Sequence, residues 1–107
     1  MEKQNKFVRK LLETGAVIVI DEAYIEFSKE SSLAAEVKNI PNLVVLRTFS
    51  KWGGLAGLRI GYGIMHPELT SICLQAKQPY NISVVAEAAA LAALSDSATL
   101  DSQAEII

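Results

Sequence analysis

Two short apolar runs constrain this chain more than any other feature. Residues 16–20 read AVIVI and residues 43–47 read LVVLR, each a block of β-branched and aliphatic side chains that turns polar only at its end. An uninterrupted run of this kind suits a strand covered on both faces, as in a parallel sheet. The step from one run to the next is close to the ~30 residues of a strand–helix–strand unit. Between them, Ser31 or Ser32 can cap a short helix running through Lys38, and Pro41 prevents its continuation. The first two strands are therefore expected to be joined by a helical crossover.

The remaining punctuation completes an α/β pattern. Residues 2–13 place Phe7, Val8, Leu11 and Leu12 on one helical face, with Gly15 as the stop. Residues 60–64 (IGYGI) read as a third strand. Pro67 suits the first turn of a helix in which Leu69, Ile72, Cys73 and Ala76 recur at helical spacing, with Cys73 as a packing residue and His66 at the helix start. Ser83 suits the cap of a last helix carrying Val84, Ala88, Leu91 and Ala92 on one face. The segment 48–57 is glycine-rich and too short for a parallel crossover. The third strand is thus expected antiparallel to the second, which brings Arg59 beside the second strand's end. The expected fold class is α/β, with a partial, mixed but mostly parallel sheet and flanking helices.

Composition narrows the function classes. The chain has 107 residues, half of them hydrophobic, which suits one modest domain and argues against disorder. With 10 basic and 12 acidic residues, nothing favours a nucleic-acid or anionic-membrane partner. A spanning helix needs ~20 mostly apolar residues, and the longest candidate, 84–94, is short and carries Glu87. Residues 1–10 lack the apolar core of a signal peptide, so a soluble intracellular location is expected. The lone cysteine excludes an internal disulfide, and the lone histidine excludes a multi-histidine metal site.

Ligands in open α/β sheets bind beyond the carboxyl ends of the parallel strands. The first strand ends there in Asp21-Glu22-Ala23-Tyr24, the second in Thr48-Phe49-Ser50-Lys51, and Arg59 returns to the same edge. Each residue has a bland reading: Asp21 as a turn former, Lys51 as a solvated surface lysine, Arg59 as an ion-pair partner of Glu22 or Asp21. Three chemical readings compete with these. An apolar strand followed by Asp-Glu fits the magnesium strand of a P-loop ATPase, but no G-x-x-x-x-G-K-[ST] loop is present. A serine-type S-x-x-K acyl-transfer site is opposed by Thr48 three residues before Lys51 and by absent accessory motifs.

The third is a Schiff-base site for pyridoxal phosphate. There Lys51 condenses with the aldehyde and later moves a proton, and Asp21 pairs with the pyridine nitrogen. Tyr24 donates to the ring hydroxyl oxygen, while Thr48, Ser50 and Arg59 hold the phosphate. It alone employs all six residues.

The segments VIVIDEAYIEF (17–27), RTFSKWGGLAGLRIGYG (47–63) and AKQPYNISV (76–84) closely resemble histidinol-phosphate aminotransferases, a group of fold-type I pyridoxal-phosphate transaminases. The resemblance covers residues 16–95, with 1–15 as a helical lead-in and 96–107 unassigned, and the wording is nearest to plant or other photosynthetic versions. It implies the central part of a fold-type I large domain, with Lys51 as the Schiff-base lysine and Asp21, Tyr24, Thr48, Ser50 and Arg59 as cofactor contacts. It also implies exchange of an amino group between histidinol phosphate and 2-oxoglutarate in histidine biosynthesis, in a homodimer. The location it implies is the plastid for a plant source and otherwise the cytoplasm.

Family features upstream and downstream of this segment are not in the chain: the phosphate-cradling turn, the aromatic stacked on the ring, an asparagine near the ring oxygen, and the small domain with its substrate arginine. Trp52-Gly53-Gly54 also departs from the bulkier stretch expected after the lysine. Edges and apolar faces that the full enzyme covers are then exposed. The chain alone is therefore expected to be poorly soluble or oligomeric, with weak or absent transaminase activity. A non-catalytic fragment and a related pyridoxal-phosphate-dependent amino-acid phosphate decarboxylase remain the alternatives.

Overall fold

A computed structural model describes residues 2–27, 31–50, 56–79 and 82–96. Helix α1, Glu2–Leu12, is followed by a turn that closes at Gly15, whose φ of 82° is the left-handed conformation expected of a helix stop. Strand β1, Ile18–Asp21, pairs parallel with β2, Leu43–Thr48, and β2 pairs antiparallel with β3, Gly61–Ile64, in the order β1-β2-β3. Helices α2, Pro67–Ala76, and α3, Val84–Ser95, follow. The antiparallel return of β3 agrees with the short connection read from the sequence.

The crossover differs from expectation in its winding. Ala34–Asn39 is a 3-10 helix rather than an α-helix. Ser32 does not cap it as an isolated hydroxyl; its Oγ accepts the Ala34 N–H at 3.0 Å while donating to Glu22 at 2.7 Å. That second bond ties the start of the crossover to the sheet.

Packing separates into two clusters. Leu43 and Val45 are fully buried and meet Val37 of the crossover, with Leu12, Ile20, Leu33, Ile40 and Ile64 around them. Phe49 and Ile60 pack instead against Ala86 and Ala90 of α3, with Leu58 and Ala93 at the margin. Expected coverage on both faces holds for Leu43, Val44 and Val45 of β2, all buried, but not for Leu46 further along that strand or for Val19 of β1, which are exposed.

The face of α3 is a correction. Alanines 86, 90 and 93 face the sheet, whereas Val84 is 81% exposed and Leu91 also points outward. Alanine lets the helix approach Phe49 and Ile60 closely, and an apolar pattern alone does not separate alanine from leucine. Cys73 is likewise exposed rather than packed, its sulfur 3.8 Å from Met65 Sδ. The expected Ser83 cap forms, its Oγ accepting the Ala86 N–H at 3.0 Å, and His66, expected only at the helix start, caps α2 by accepting the Glu68 N–H on Nδ1 at 3.2 Å. Among the described residues, no helix is long and apolar enough to cross a membrane.

Candidate functional site

Because β1 and β2 are parallel, Asp21 and Thr48 open onto the same edge of the sheet. Thr48 is the register partner of Gly61, so the residues just before β3 return to that edge. The result is an open concavity of about 360 Å³ whose lining includes Asp21, Thr48, Ser50 and Arg59. Four of the six residues singled out in the sequence thus meet around one space. Tyr24 stands on the turn beyond Asp21, exposed, with its ring tilted against Phe27 at 6.5 Å, and does not line the concavity. Lys51, which follows Ser50, lies outside the described residues, as do Trp52, Gly53 and Gly54.

Local hydrogen bonds set each rim residue. Asp21 Oδ1 accepts the Ala23 N–H at 3.0 Å, which turns the chain after β1. Thr48 Oγ1 accepts the Ser50 N–H at 3.0 Å in the same fashion. The bland turn reading of Asp21 is therefore true of one oxygen, and the exposed carboxylate still faces the concavity. Arg59 has a φ of 53°, a left-handed conformation that costs a non-glycine residue of order 1 kcal/mol. Its Nη1 donates to the Ala56 carbonyl at 3.3 Å. Gly61 makes this return possible, since a Cβ there would lie 2.8 Å from the Arg47 carbonyl oxygen.

Strand alternation divides the same strand ends into two faces. Asp21 and its partner Leu46 are exposed, with Thr48 two residues further along. On the opposite face Ile20 and Val45 join the core, and the next pair is Glu22 and Arg47. Arg47 Nε donates to Glu22 Oε1 at 2.8 Å, Ser32 Oγ donates to the same oxygen at 2.7 Å, and the Leu33 N–H donates to Oε2 at 2.9 Å. The Glu22 side chain is only 4% exposed and that of Arg47 17%. Burial by itself would raise the Glu22 carboxyl. The hydrogen bonds from Ser32, Leu33 and Arg47, with the guanidinium charge, outweigh it and hold the group below its ordinary range.

Arg47 is the functional neighbour that sequence reading left without a role. The signal was present: parallel pairing of IVIDE with VVLR sets a glutamate beside an arginine. Glu22 therefore has Arg47 as its ion-pair partner, not Arg59. The ATPase reading fails on the same contact, because a carboxylate enclosed by three donors is not placed to activate water.

Comparison with known proteins shows the family. The profile of the aminotransferase class I and II family matches residues 2–107. A histidinol-phosphate aminotransferase of Roseiflexus castenholzii is 54% identical over 89 residues, which is 83% of this chain and 24% of that protein. The crystal structure of the histidinol-phosphate aminotransferase from Clostridium acetobutylicum superposes with a TM-score of 0.82 at 32% identity, over 98% of this chain and 32% of that one. The Sinorhizobium meliloti histidinol-phosphate aminotransferase, solved in complex with pyridoxal-5'-phosphate, gives a TM-score of 0.75 at 36% identity, over 82% of this chain and 24% of that one. The chain spans about a quarter of the length of the curated relatives it matches. From the profile match over residues 2–107 and the superposed folds, this chain belongs to the aminotransferase class I and II family.

Proposed function

We propose that this chain forms the pyridoxal-phosphate-binding segment of a transaminase that exchanges an amino group between histidinol phosphate and a 2-oxo acid. One observation carries the reading: a carboxylate, two hydroxyls and a guanidinium from three separate stretches line one concavity at the carboxyl edge of the sheet. The donor set fits the cofactor. Asp21 is an exposed anion suited to a protonated pyridine nitrogen, and Thr48, Ser50 and Arg59 are the hydroxyl and cationic donors a phosphate requires. The identities to histidinol-phosphate aminotransferases support the substrate.

When bound, pyridoxal phosphate supplies an aldehyde and an electron-accepting ring. The chain's own residues do the rest. Asp21 keeps the ring nitrogen protonated by offering it a fixed negative charge. Thr48 and Ser50 orient the phosphate oxygens, and the Arg59 fork offsets their charge. Lys51, the residue after Ser50, would provide the amine that holds the aldehyde, and the same amine would serve as the proton-transfer group. Tyr24, on the turn beyond Asp21 and outside the concavity's lining, would donate a hydrogen bond to the ring oxygen. The same resemblance supports a homodimer, which light scattering measures.

The test mixes the chain with pyridoxal phosphate and follows the visible absorbance of the lysine-bound form. A band present in the wild type and lost in Lys51→Ala supports the reading. No uptake, or a band indifferent to Lys51→Ala, removes it. Amino-group exchange with histidinol phosphate as donor then tests the substrate, and release of carbon dioxide instead marks a decarboxylase.

A further inference from the structure

Glu22 is the one buried polar residue among those described, and the chemistry above does not use it. In sequence, rim residues flank the pair it forms with Arg47. Asp21 precedes Glu22, whose backbone N–H donates to the Leu46 carbonyl at 2.9 Å, extending the β1–β2 ladder beyond the last paired residue. Its carboxylate grips Arg47, which precedes Thr48, and the start of the crossover at Ser32 and Leu33. Arg47 Nη2 also donates to Ser32 Oγ at 2.7 Å, so three chain segments close into one ring of charge-assisted hydrogen bonds.

We infer that Glu22 is a positioning residue: from the covered face of the sheet it locks the ends of β1 and β2 together, and so fixes the spacing of Asp21 and Thr48 on the open face. The physical basis is alternation. A strand residue cannot shift without moving its neighbour on the other face, so anchoring Glu22 to Arg47 anchors Asp21 and Thr48. The backbone bond from the Glu22 N–H to the Leu46 carbonyl crosses the same edge beside these side-chain bonds. Beyond Leu46, the two parallel strands share no further ladder pair, and the turns after Asp21 and Thr48 are held by their own side chains. The inference rests on the proposed function only in taking this rim as the pyridoxal phosphate site.

The test compares Glu22→Gln, which keeps the shape and removes the charge, with Val37→Ala, which weakens the core beneath the crossover without touching the ring of bonds. Amide hydrogen exchange is read at Ala23 and Ser50, whose N–H groups report the Asp21 and Thr48 turns, against core amides of β2. Urea titration matches the two variants for stability. In Glu22→Gln the two rim amides should exchange about tenfold faster relative to the core, the size expected from loss of one charge-assisted bond, and pyridoxal phosphate should bind about tenfold more weakly. In Val37→Ala the ratio of rim to core exchange should stay at the wild-type value. Should Glu22→Gln not fold, Ser32→Ala serves in its place, with the same direction and a smaller ratio. Equal rim-to-core ratios in the two variants would overturn the inference. If the wild type takes up no pyridoxal phosphate, the proposed function fails, and the exchange ratios still decide whether Glu22 positions the rim.

Discussion

The two faces of the sheet edge are built from alternate residues of the same strands and are opposite in character. On the covered face, Glu22, Arg47 and Ser32 are closely paired, and the Glu22 carboxylate accepts from three donors. On the open face, the bonds described for Asp21, Thr48 and Arg59 go to nearby backbone, and Arg59 holds a strained backbone angle. Polar residues placed for stability complete one another's hydrogen bonds within the chain. In the proposed reading, the residues of the open face keep hydrogen-bonding capacity for the ligand. The contrast gives each face its own signature under mutation: stability on one, binding on the other.

The largest stability effect should come from Glu22→Ala. It leaves the Arg47 guanidinium largely buried without its counter-charge, and deletion of one partner of a buried pair typically costs about 3 kcal/mol. Urea midpoints measure it, and a loss under about 1 kcal/mol would remove the covered face from the list of stabilising features. Gly61→Ala follows, at about 2 kcal/mol. The added Cβ meets a backbone carbonyl oxygen of Arg47, which has no side-chain freedom with which to yield. That variant also disturbs the return of Arg59, so it should weaken binding as well, linking the two faces where the other substitutions separate them.

Acid provides a graded version of the Glu22 deletion. The folded-state carboxyl titrates below its ordinary value, so the unfolded chain binds the proton first. The contribution is complete above about pH 4.3, the unperturbed glutamate value, and is lost as the pH falls through the lower folded-state value. Wild type and Glu22→Gln should therefore differ in urea midpoint at neutral pH and converge in that acid window. A constant gap down to the acid limit would mean that the carboxylate charge contributes nothing.

Much of this division was legible in the sequence, and its gaps have physical causes. AVIVI and LVVLR announce strands because nothing else packs β-branched residues so continuously, and the short 48–57 segment forces β3 to run backwards. From there, the meeting of Asp21, Thr48, Ser50 and Arg59 needs only topology. The partner of Glu22 was not fixed, because the choice between Arg47 and Arg59 depends on register, and a shift of one residue exchanges the faces. The buried stripe of α3 was misread because apolarity counts alanine and leucine alike, whereas close approach to Phe49 and Ile60 selects the smaller side chain. The crossover before the 3-10 helix Ala34–Asn39 is tethered to Glu22 through Ser32, a contact distant in sequence that no local pattern announces.

On the open face the effects on stability should be small and of either sign. Arg59→Gly removes a strained residue at φ 53°, and glycine accepts that angle freely, although its looser unfolded chain offsets part of the gain. The net change should be a stabilisation below about 1 kcal/mol. Binding should move the other way. Pyridoxal phosphate should lose affinity while pyridoxal, which has no phosphate, should not, so the preference between them narrows. A preference unchanged by Arg59→Gly would take the guanidinium out of the phosphate site.

Asp21→Asn should have the smallest effect on the fold and the sharpest on the site. The amide oxygen can accept the Ala23 N–H as the carboxylate does, so the turn survives and stability should stay within about 0.5 kcal/mol of wild type. What disappears is the negative charge, and an amide cannot hold a pyridine nitrogen in its protonated form. The bound ring then loses its pull on electrons, with affinity and the spectrum of bound pyridoxal phosphate both changing at constant urea midpoint. Asp21→Ala sharpens the comparison, since it removes charge and turn together and should lower stability as well. If Asp21→Asn cost as much stability as Glu22→Gln, the carboxylate would be structural, and the two faces of this edge would no longer differ in kind.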